Sequence, residues 1–225
     1  MIITITRCLN ESKNIERFLK CYSFSDLIIV SDGGSTDGSV EMLTNRDKVK
    51  LLHFSEHENI NGYYWNPDNS HFNFIINAAK EYNPDWIILD DMDCVPNYKL
   101  QERARSILEN CTQPQVNVFR LYMWGDFQYF PKMNNYFDPK YKSLWAWKPK
   151  ERNVRGDESV RHGTLLGIDD TDTYGIDTPL CLLHKSWHPN TIEAKVEKYN
   201  AIDLPMNHPL EFAGAPELLP NWACE

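Results

Sequence analysis

The stretch Trp86-Ile-Ile-Leu-Asp-Asp-Met-Asp93 determines the fold and indicates where the chemistry of this chain takes place. Its first four residues are wholly apolar, which is typical of a strand in the middle of a parallel sheet. Asp90, Asp91 and Asp93 follow this strand directly. In open α/β sheets, ligands bind at the carboxyl ends of the strands. The sequence therefore predicts a binding site immediately after this strand.

The three carboxylates at this point predict a bound cation. Acidic side chains this close together repel one another and raise each other's pKa unless a positive charge compensates them. Residues two apart on an extended chain point to the same side, so Asp91 and Asp93 can face one pocket. Carboxylate oxygens suit Mg²⁺ or Mn²⁺ that is bridged to phosphate oxygens.

Strands alternate with helices through the first half of the chain. Short apolar or β-branched runs predict strands at 2–6, 27–30, 50–54 and 86–89, and later at 116–123. Apolar residues at helical spacing predict helices at 15–22, 40–43 and 72–82, and later at 190–199. This alternation predicts an α/β fold with a mostly parallel, doubly wound sheet and helices on both faces. The tail over 204–225 is predicted to be an extended wrap.

Composition limits the possible partners and surroundings. A chain of 225 residues with 42% hydrophobic content can bury one core, so a single domain over 1–225 is expected. The net charge of −9 disfavours a surface-wide attraction to nucleic acid or anionic lipid. No apolar run is long enough to span a bilayer, and no signal peptide is evident. The six cysteines contain no C-x-x-C pair, so we expect reduced thiols and a cytoplasmic protein.

Three segments together resemble the successive signatures of family 2 inverting glycosyltransferases with the GT-A fold. They occur in the family's order and at family-like spacing within about the first 100 residues, at Ile3–Glu11, Val30–Gly38 and Asp85–Asp93. The resemblance implies a GT-A type nucleotide-diphospho-sugar transferase fold. It also implies a nucleotide-sugar binding half at 1–100, and an acceptor-binding half with the C-terminal wrap at 101–225. The expected activity is metal-dependent transfer of a sugar from a nucleotide sugar, usually a UDP-sugar.

The same resemblance implies roles for residues at the donor site. Arg7, Asn10 and Glu11 are expected to line the nucleoside pocket, and Asp32 to contact the base, which is usually uracil. A carboxylate is suited to this because it can accept a hydrogen bond from the imide N–H of uracil. Gly33 stands where the family commonly has a second acidic residue, and it would allow the backbone to approach the nucleotide closely.

The resemblance also implies residues for the metal site and for the general base. Asp93 corresponds to the direct ligand of Mn²⁺ or Mg²⁺, and Asp91 to a contact with the metal or the ribose. His184 resembles a late family histidine that reaches the metal or the diphosphate. The general base is expected at Glu158 or Asp157. The next candidate is Asp170, which lies in an acidic run with Asp169 and Asp172.

Other readings of the sequence remain open at this point. Family members often have a His-Glu pair near Arg161-His162-Gly163, which this chain does not reproduce, and its absence supports a non-catalytic nucleotide-sugar or carbohydrate-binding module. A nucleotidyltransferase also uses carboxylate-held metal, but it usually has a glycine-rich loop after its first strand, and residues 6–11 contain no glycine. The acceptor is not identified; a glycan, a lipid-linked sugar, a protein and a modified DNA base are all compatible with the sequence.

Overall fold

The computed structural model describes residues 1–55, 58–60, 63–65, 69–124, 128–129, 142–156, 165–168, 172–177, 180–187, 193, 197 and 217–218. The strands within this part are β1 (Ile2–Cys8), β2 (Leu27–Asp32), β3 (Val49–His53), β4 (Glu58–Ile60), β5 (Tyr63–Trp65), β6 (Trp86–Leu89), β7 (Cys94–Pro96), β8 (Gln115–Trp124), β9 (Gln128–Tyr129), β10 (Ser143–Trp147), β11 (Arg155–Gly156), β12 (Leu165–Leu166), β13 (Tyr174–Gly175), β14 (Cys181–Trp187) and β15 (Glu217–Leu218). The helices are α1 (Ser12–Cys21), α2 (Ser39–Leu43), α3 (Ser70–Lys80) and α4 (Tyr98–Asn110).

Strand β1 is the centre of the parallel half of the main sheet. It pairs in parallel with β2 on one side and with β6 on the other, and Ile5 lies opposite both Ile29 and Leu89. Strand β3 adds a further parallel neighbour beyond β2. All four residues of β6 are buried, as expected for a strand that is covered on both faces. The α/β prediction is confirmed, and so are the predicted strands of this half.

The second half of the sheet is mixed, and β8 is the only one of its described strands that the sequence predicted. Strand β10 is antiparallel to β6 and to β8, and so joins the two halves. Strand β8 also pairs in parallel with β14, which is itself antiparallel to β7. The sequence predicted β8 but gave no indication of β10 or β14. The predicted helix at 190–199 and the tail at 204–225 lie almost wholly outside the described residues.

Helices cover both faces of the sheet. Neighbouring residues of β1 point in opposite directions, so they belong to two different core clusters. Ile2 belongs to the core cluster beneath α1, α2 and α4, whereas Ile3 packs beneath α3 with Ile75 and Ile76. None of the helices in the described part has the length and apolar character needed to cross a membrane. The five described cysteines are free, in agreement with the prediction of reduced thiols.

Hydrogen bonds between side chains and backbone join the loops that follow β1 and β2. The Asn10 amide N–H donates to Ser35 Oγ at 2.8 Å, and the Thr36 N–H donates to Asn10 Oδ1 at 2.8 Å. The Ser12 N–H donates to Asp37 Oδ2 at 2.9 Å. Because each loop supplies partners for the other, the two loops are held as one unit.

A buried carboxylate lies directly below the end of β6. Asp90 is 1% exposed and accepts hydrogen bonds from the Tyr22 hydroxyl, from Arg120 Nη2 at 3.3 Å and from the Asp91 N–H at 3.1 Å. Burial raises the pKa of Asp90 to about 6, although Arg120 and Tyr22 act to lower it. Asp90 and Met92 are buried in the core, whereas the side chains of Asp91 and Asp93 are partly exposed and contact Arg7 and His184. The chain turns here, with the Cys94 N–H donating to Asp91 O at 2.8 Å, so it is not the extended segment that the spacing argument assumed.

Replacing Tyr22 with phenylalanine should destabilise the protein by about 1.5–3 kcal/mol, because it removes a hydrogen bond to a buried charged group. Urea unfolding at pH 7 measures this loss. Tyr82→Phe is the matched control, since Tyr82 is 43% exposed, and it should change the unfolding free energy little. Equal losses in both variants would contradict a stabilising role for the Tyr22–Asp90 bond.

The Asp37 carboxylate, which links the two loops, should contribute stability that is lost in acid. Although burial acts to raise the pKa of Asp37, hydrogen bonds from Ser39 and Ser12 outweigh it and lower the pKa to about 2. The folded-state pKa is thus below the unfolded value, so the contribution is present above about pH 4 and is lost as the pH falls toward 2. Wild type should therefore be more stable than Asp37→Asn at pH 6, by a margin that narrows at pH 3. Urea unfolding at both pH values, with Asp47→Asn as an exposed control, tests this; a constant margin would contradict it.

Candidate functional site

The carboxyl ends of β1, β2 and β6 lie side by side, and they carry most of the residues predicted for the donor and metal sites. The register places Cys8, at the end of β1, opposite Asp32, at the end of β2. Arg7 is the penultimate residue of β1, and Asp91 and Asp93 follow β6. The structure thus brings residues from three distant segments to one edge of the sheet.

The Asp32 carboxylate organises the loop that follows it. It is 2% exposed, and its Oδ2 accepts from the Gly34 N–H at 2.8 Å and from the Ser35 N–H at 3.1 Å. A carboxylate has about four acceptor positions, so these two bonds leave capacity for a further donor. Contact with a base remains a prediction for this residue.

The structure does not require glycine at position 33. A Cβ built on Gly33 would lie 3.6 Å from Cys8 O and 3.9 Å from His71 Cε1, which are ordinary contacts. The Gly33 N–H donates to Cys8 O at 2.9 Å and ties the loop to the end of β1. An alanine Cβ would therefore fit at position 33 in ordinary van der Waals contact.

Asn10 and Glu11 lie in the first of the joined loops, and their polar atoms form hydrogen bonds within the protein. Asn10 has a φ of 57°, a left-handed conformation that asparagine tolerates well, and its side chain accepts from the following loop. Glu11 Oε2 accepts from Asn14 Nδ2 at 2.6 Å, and the Glu11 N–H donates to Ser39 Oγ at 3.0 Å. Both residues thus fix the shape of the predicted nucleoside pocket.

Arg7 is held between an aromatic ring and a carboxylate. Its guanidinium carbon lies 3.7 Å from the centroid of the Phe72 ring, and its Nη2 lies 3.5 Å from Asp91 Oδ1. Burial acts to raise the pKa of the Asp91 carboxyl, but Arg7, Arg120 and, after them, His184 outweigh it and hold that pKa below its usual range. Asp91 is therefore ionised and already partly compensated by arginine.

Arg120 is a residue of the site that the sequence analysis missed. It comes from the apolar strand β8, and its side chain is 20% exposed. Its positive charge acts to lower the pKa of both Asp90 and Asp91. A signal was present in the sequence, because an arginine within a buried strand needs an anionic partner. The nearest acidic cluster in the predicted sheet was the one after β6.

Asp93 and His184 come together, as a shared metal site would require. His184 Nε2 lies 3.6 Å from Asp93 Oδ1, because β14 pairs with β7 and places His184 opposite Cys94. In the part of the chain that the structure describes, ligand atoms of Asp93, Cys94 and His184 lie within 4.8 Å of one another. Burial raises the pKa of the Cys94 thiol well above its usual value, so the carboxylate oxygen and the imidazole nitrogen are the ligands ready to bind. A carboxylate oxygen and a neutral imidazole nitrogen are both common ligands of divalent metal ions.

The three candidates for the general base, Glu158, Asp157 and Asp170, lie outside the described residues. The structure does fix both ends of the segment that contains two of them. Gly156 pairs with Leu165 in the antiparallel pair of β11 and β12, so residues 157–164 connect two neighbouring strands. Of the acidic run, Asp172 is described, and its carboxylate lies 3.9 Å from Arg152 Nη2.

Comparisons with known proteins show a similar fold. No protein-family profile and no curated protein matches the chain in sequence. S. aureus TarS 1–349 matches with a TM-score of 0.54 and 11% identity over 89% of this chain and 63% of that one. TarS 1–349 in complex with UDP-GlcNAc has a TM-score of 0.54 and 12% identity, over 81% of this chain and 57% of that one. TarS 1–349 in complex with UDP has a TM-score of 0.53 and 11% identity, over 90% of this chain and 63% of that one. The chain thus spans less than two thirds of TarS 1–349, and at this identity the likeness shows a shared α/β fold.

Proposed function

We propose that this chain is a metal-dependent inverting glycosyltransferase that moves a sugar from a UDP-sugar to an acceptor hydroxyl. The observation that carries the proposal is the pairing of Asp93 with His184 at 3.6 Å, beside an Asp91 that Arg7 holds in place. This arrangement lies at the carboxyl edge of the sheet, where ligands bind in open α/β folds. The fold likeness to TarS, which has been crystallised with UDP-GlcNAc, supports a nucleotide sugar as the donor.

The donor is bound by the joined loops and by the ends of β1 and β2. Asp32 accepts from the imide of the base, and Gly33, which has no side chain, lets the nucleoside approach the backbone. Arg7 is partly exposed beside Asp91 and offers N–H donors to the diphosphate. Asn10 and Glu11 keep the pocket in shape through the bonds between the two loops.

Asp93 and His184 would hold the metal ion, and Asp91 would bind the metal or the ribose. When bound, Mn²⁺ or Mg²⁺ supplies a Lewis acid that neutralises the charge developing on the diphosphate. Arg7 and Arg120 add positive charge on the same side. Asp90 is not a ligand, because its carboxylate is buried and bonded to Tyr22 and Arg120.

Transfer forms one bond and breaks another at the anomeric carbon. The acceptor oxygen attacks this carbon from the face opposite the diphosphate, and the bond from the carbon to the phosphate oxygen breaks with its electron pair going to UDP. The proton of the acceptor hydroxyl passes to a carboxylate of the chain, for which Glu158 is the first candidate, followed by Asp157 and Asp170.

The proposal divides the work between the two parts of the chain. Residues 1–100 bind the nucleotide sugar, and residues 101–225 bind the acceptor, as one domain in the cytoplasm. The acceptor is a hydroxyl-bearing glycan, lipid-linked sugar, protein or modified DNA base. The net charge of −9 makes DNA the least favoured of these.

The experiment that tests the proposal is calorimetric titration of UDP into the wild type and into Asp93→Ala, with Mn²⁺ and then with EDTA. We expect wild type to bind UDP only in the presence of Mn²⁺, and Asp93→Ala to lose most of this binding because a metal ligand is gone. Manganese binding measured by paramagnetic resonance should fall in parallel, and His184→Ala should weaken it as well.

Asp47→Ala is the matched control for this experiment, since Asp47 is an exposed aspartate in a turn and should leave binding unchanged. Retained metal-dependent binding in Asp93→Ala would contradict the metal site. Binding of UDP-GlcNAc and other UDP-sugars, with neither hydrolysis by water nor UDP release on addition of hydroxyl-bearing acceptors, would indicate a non-catalytic module. Pyrophosphate formation from UTP and a sugar 1-phosphate would instead identify a nucleotidyltransferase.

The general base gives a separate prediction. Glu158→Gln should slow UDP release from the UDP-sugar by roughly 10²–10⁴-fold, because the acceptor proton then has no carboxylate to receive it. The affinity for UDP should stay within about twofold of wild type, since the donor contacts lie elsewhere. Asp157→Asn serves as the paired variant: normal turnover in Glu158→Gln with a loss in Asp157→Asn would move the role to Asp157.

A further inference from the structure

The first turn of α3 contacts three separate parts of the candidate site through three consecutive residues. His71 Nε2 lies 2.7 Å from Ser31 Oγ, next to Asp32 in β2. Phe72 supplies the ring on which the Arg7 guanidinium rests, 3.7 Å from its centroid. Asn73 bonds to the backbone of Gly156, the residue that precedes the candidate bases.

The contact between Asn73 and Gly156 is a two-point contact. The Gly156 N–H donates to Asn73 Oδ1 at 2.7 Å, and Asn73 Nδ2 donates to Gly156 O at 3.3 Å. A side-chain amide has one carbonyl oxygen and two N–H donors, so it can engage both backbone groups of one residue at the same time. Such a pair fixes the direction of the chain as well as its distance from the helix.

Close packing holds the same position. A Cβ on Gly156 would lie 2.5 Å from Asn69 Cβ and 2.6 Å from Asn69 O, so β11 meets the start of α3 with no room for any other side chain. Further along the helix, Lys80 Nζ donates to Asn153 Oδ1 at 3.1 Å. The segment before Gly156 is therefore attached to α3 at both ends of the helix.

The helix itself is a firm base for these contacts. Ile75, Ile76 and Ala79 are at most 1% exposed and pack beneath it against β1, β2 and β6. Consecutive residues of a helix point about 100° apart, so three of them cover more than half of its circumference. A helix terminus that lies in the middle of the site can thus contact the base side, the phosphate side and the acceptor side together.

We propose that Asn73 is a positioning residue that sets the distance between the acceptor strand β11 and the donor strands β1 and β2. It acts through its two hydrogen bonds to the backbone of Gly156. The role rests on the proposed function, because it is the segment after Gly156 that supplies the general base. The donor pocket itself is held by other residues, so Asn73 bears on transfer and not on binding of the nucleotide.

The test compares Asn73→Ala with wild type in two measurements. Hydrogen exchange at the Gly156 amide should become faster, because its acceptor is removed. UDP release from UDP-GlcNAc should fall roughly 10- to 100-fold, since a shift of about 1 Å in a catalytic group costs rates of this order. The affinity for UDP with Mn²⁺ should stay within about twofold. Asn73→Asp keeps the oxygen that accepts from the Gly156 N–H but loses the N–H that donates to Gly156 O. Its exchange rate and its turnover should therefore lie between those of wild type and Asn73→Ala.

Asn77→Ala is the matched control, because Asn77 is an exposed asparagine one turn later on the same helix, and it should change none of these values. The proposal is overturned if Asn73→Ala weakens UDP binding as much as it slows turnover, or if Gly156 exchange and turnover both stay at wild-type values. Failure of the wild type to bind UDP would refute the proposed function instead. In that case, exchange at Gly156 would still show whether Asn73 holds β11.

Discussion

The buried carboxylate of Asp90 is the constraint on which the arrangement of the site depends. A charge in the core is costly unless it is paired and hydrogen-bonded, so the end of β6 must lie where Tyr22 and Arg120 can both reach it. These partners come from the end of α1 and from β8, so three distant segments meet at one carboxylate. The turn that follows, closed by the bond from the Cys94 N–H to Asp91 O, leaves the carboxylates of Asp91 and Asp93 partly exposed beside Arg7 and His184. An acidic residue that takes no part in metal binding thus sets the direction of those that are proposed to do so.

Much of the donor half could be predicted from the sequence, because its signals are local. Each parallel strand is a short apolar run, each is followed by a polar loop, and strands that run in parallel bring their carboxyl ends to one edge. The positions of Arg7, Asp32, Asp91 and Asp93 follow from this rule. The pairing of Arg7 with Phe72 does not, since it depends on which face of the sheet α3 covers.

The acceptor half could not be predicted to the same extent, because its order depends on pairing between distant strands. His184 reaches Asp93 only because β14 lies between β7 and β8, and no local pattern shows this register. Arg120 is different: a charged residue in the apolar run of β8 does indicate a buried acidic partner, and this signal could have been used. Residues 157 and 158 follow a strand whose position is set by Asn73 and Asn69, which no periodicity in the sequence indicates.

The insertion of β10 between β6 and β8 has a consequence for how the protein is made. The parallel strands β3, β2, β1 and β6 are all complete by residue 89, yet the open edge of β6 gains its partner only with Ala146 and Trp147. During synthesis, the outer edge of the fully buried strand β6 has no pairing partner until more than fifty further residues have been added. Unpaired strand edges promote aggregation, and contacts this far apart in sequence form slowly. Truncation before residue 143 would therefore leave this edge of β6 without the strand that pairs with it.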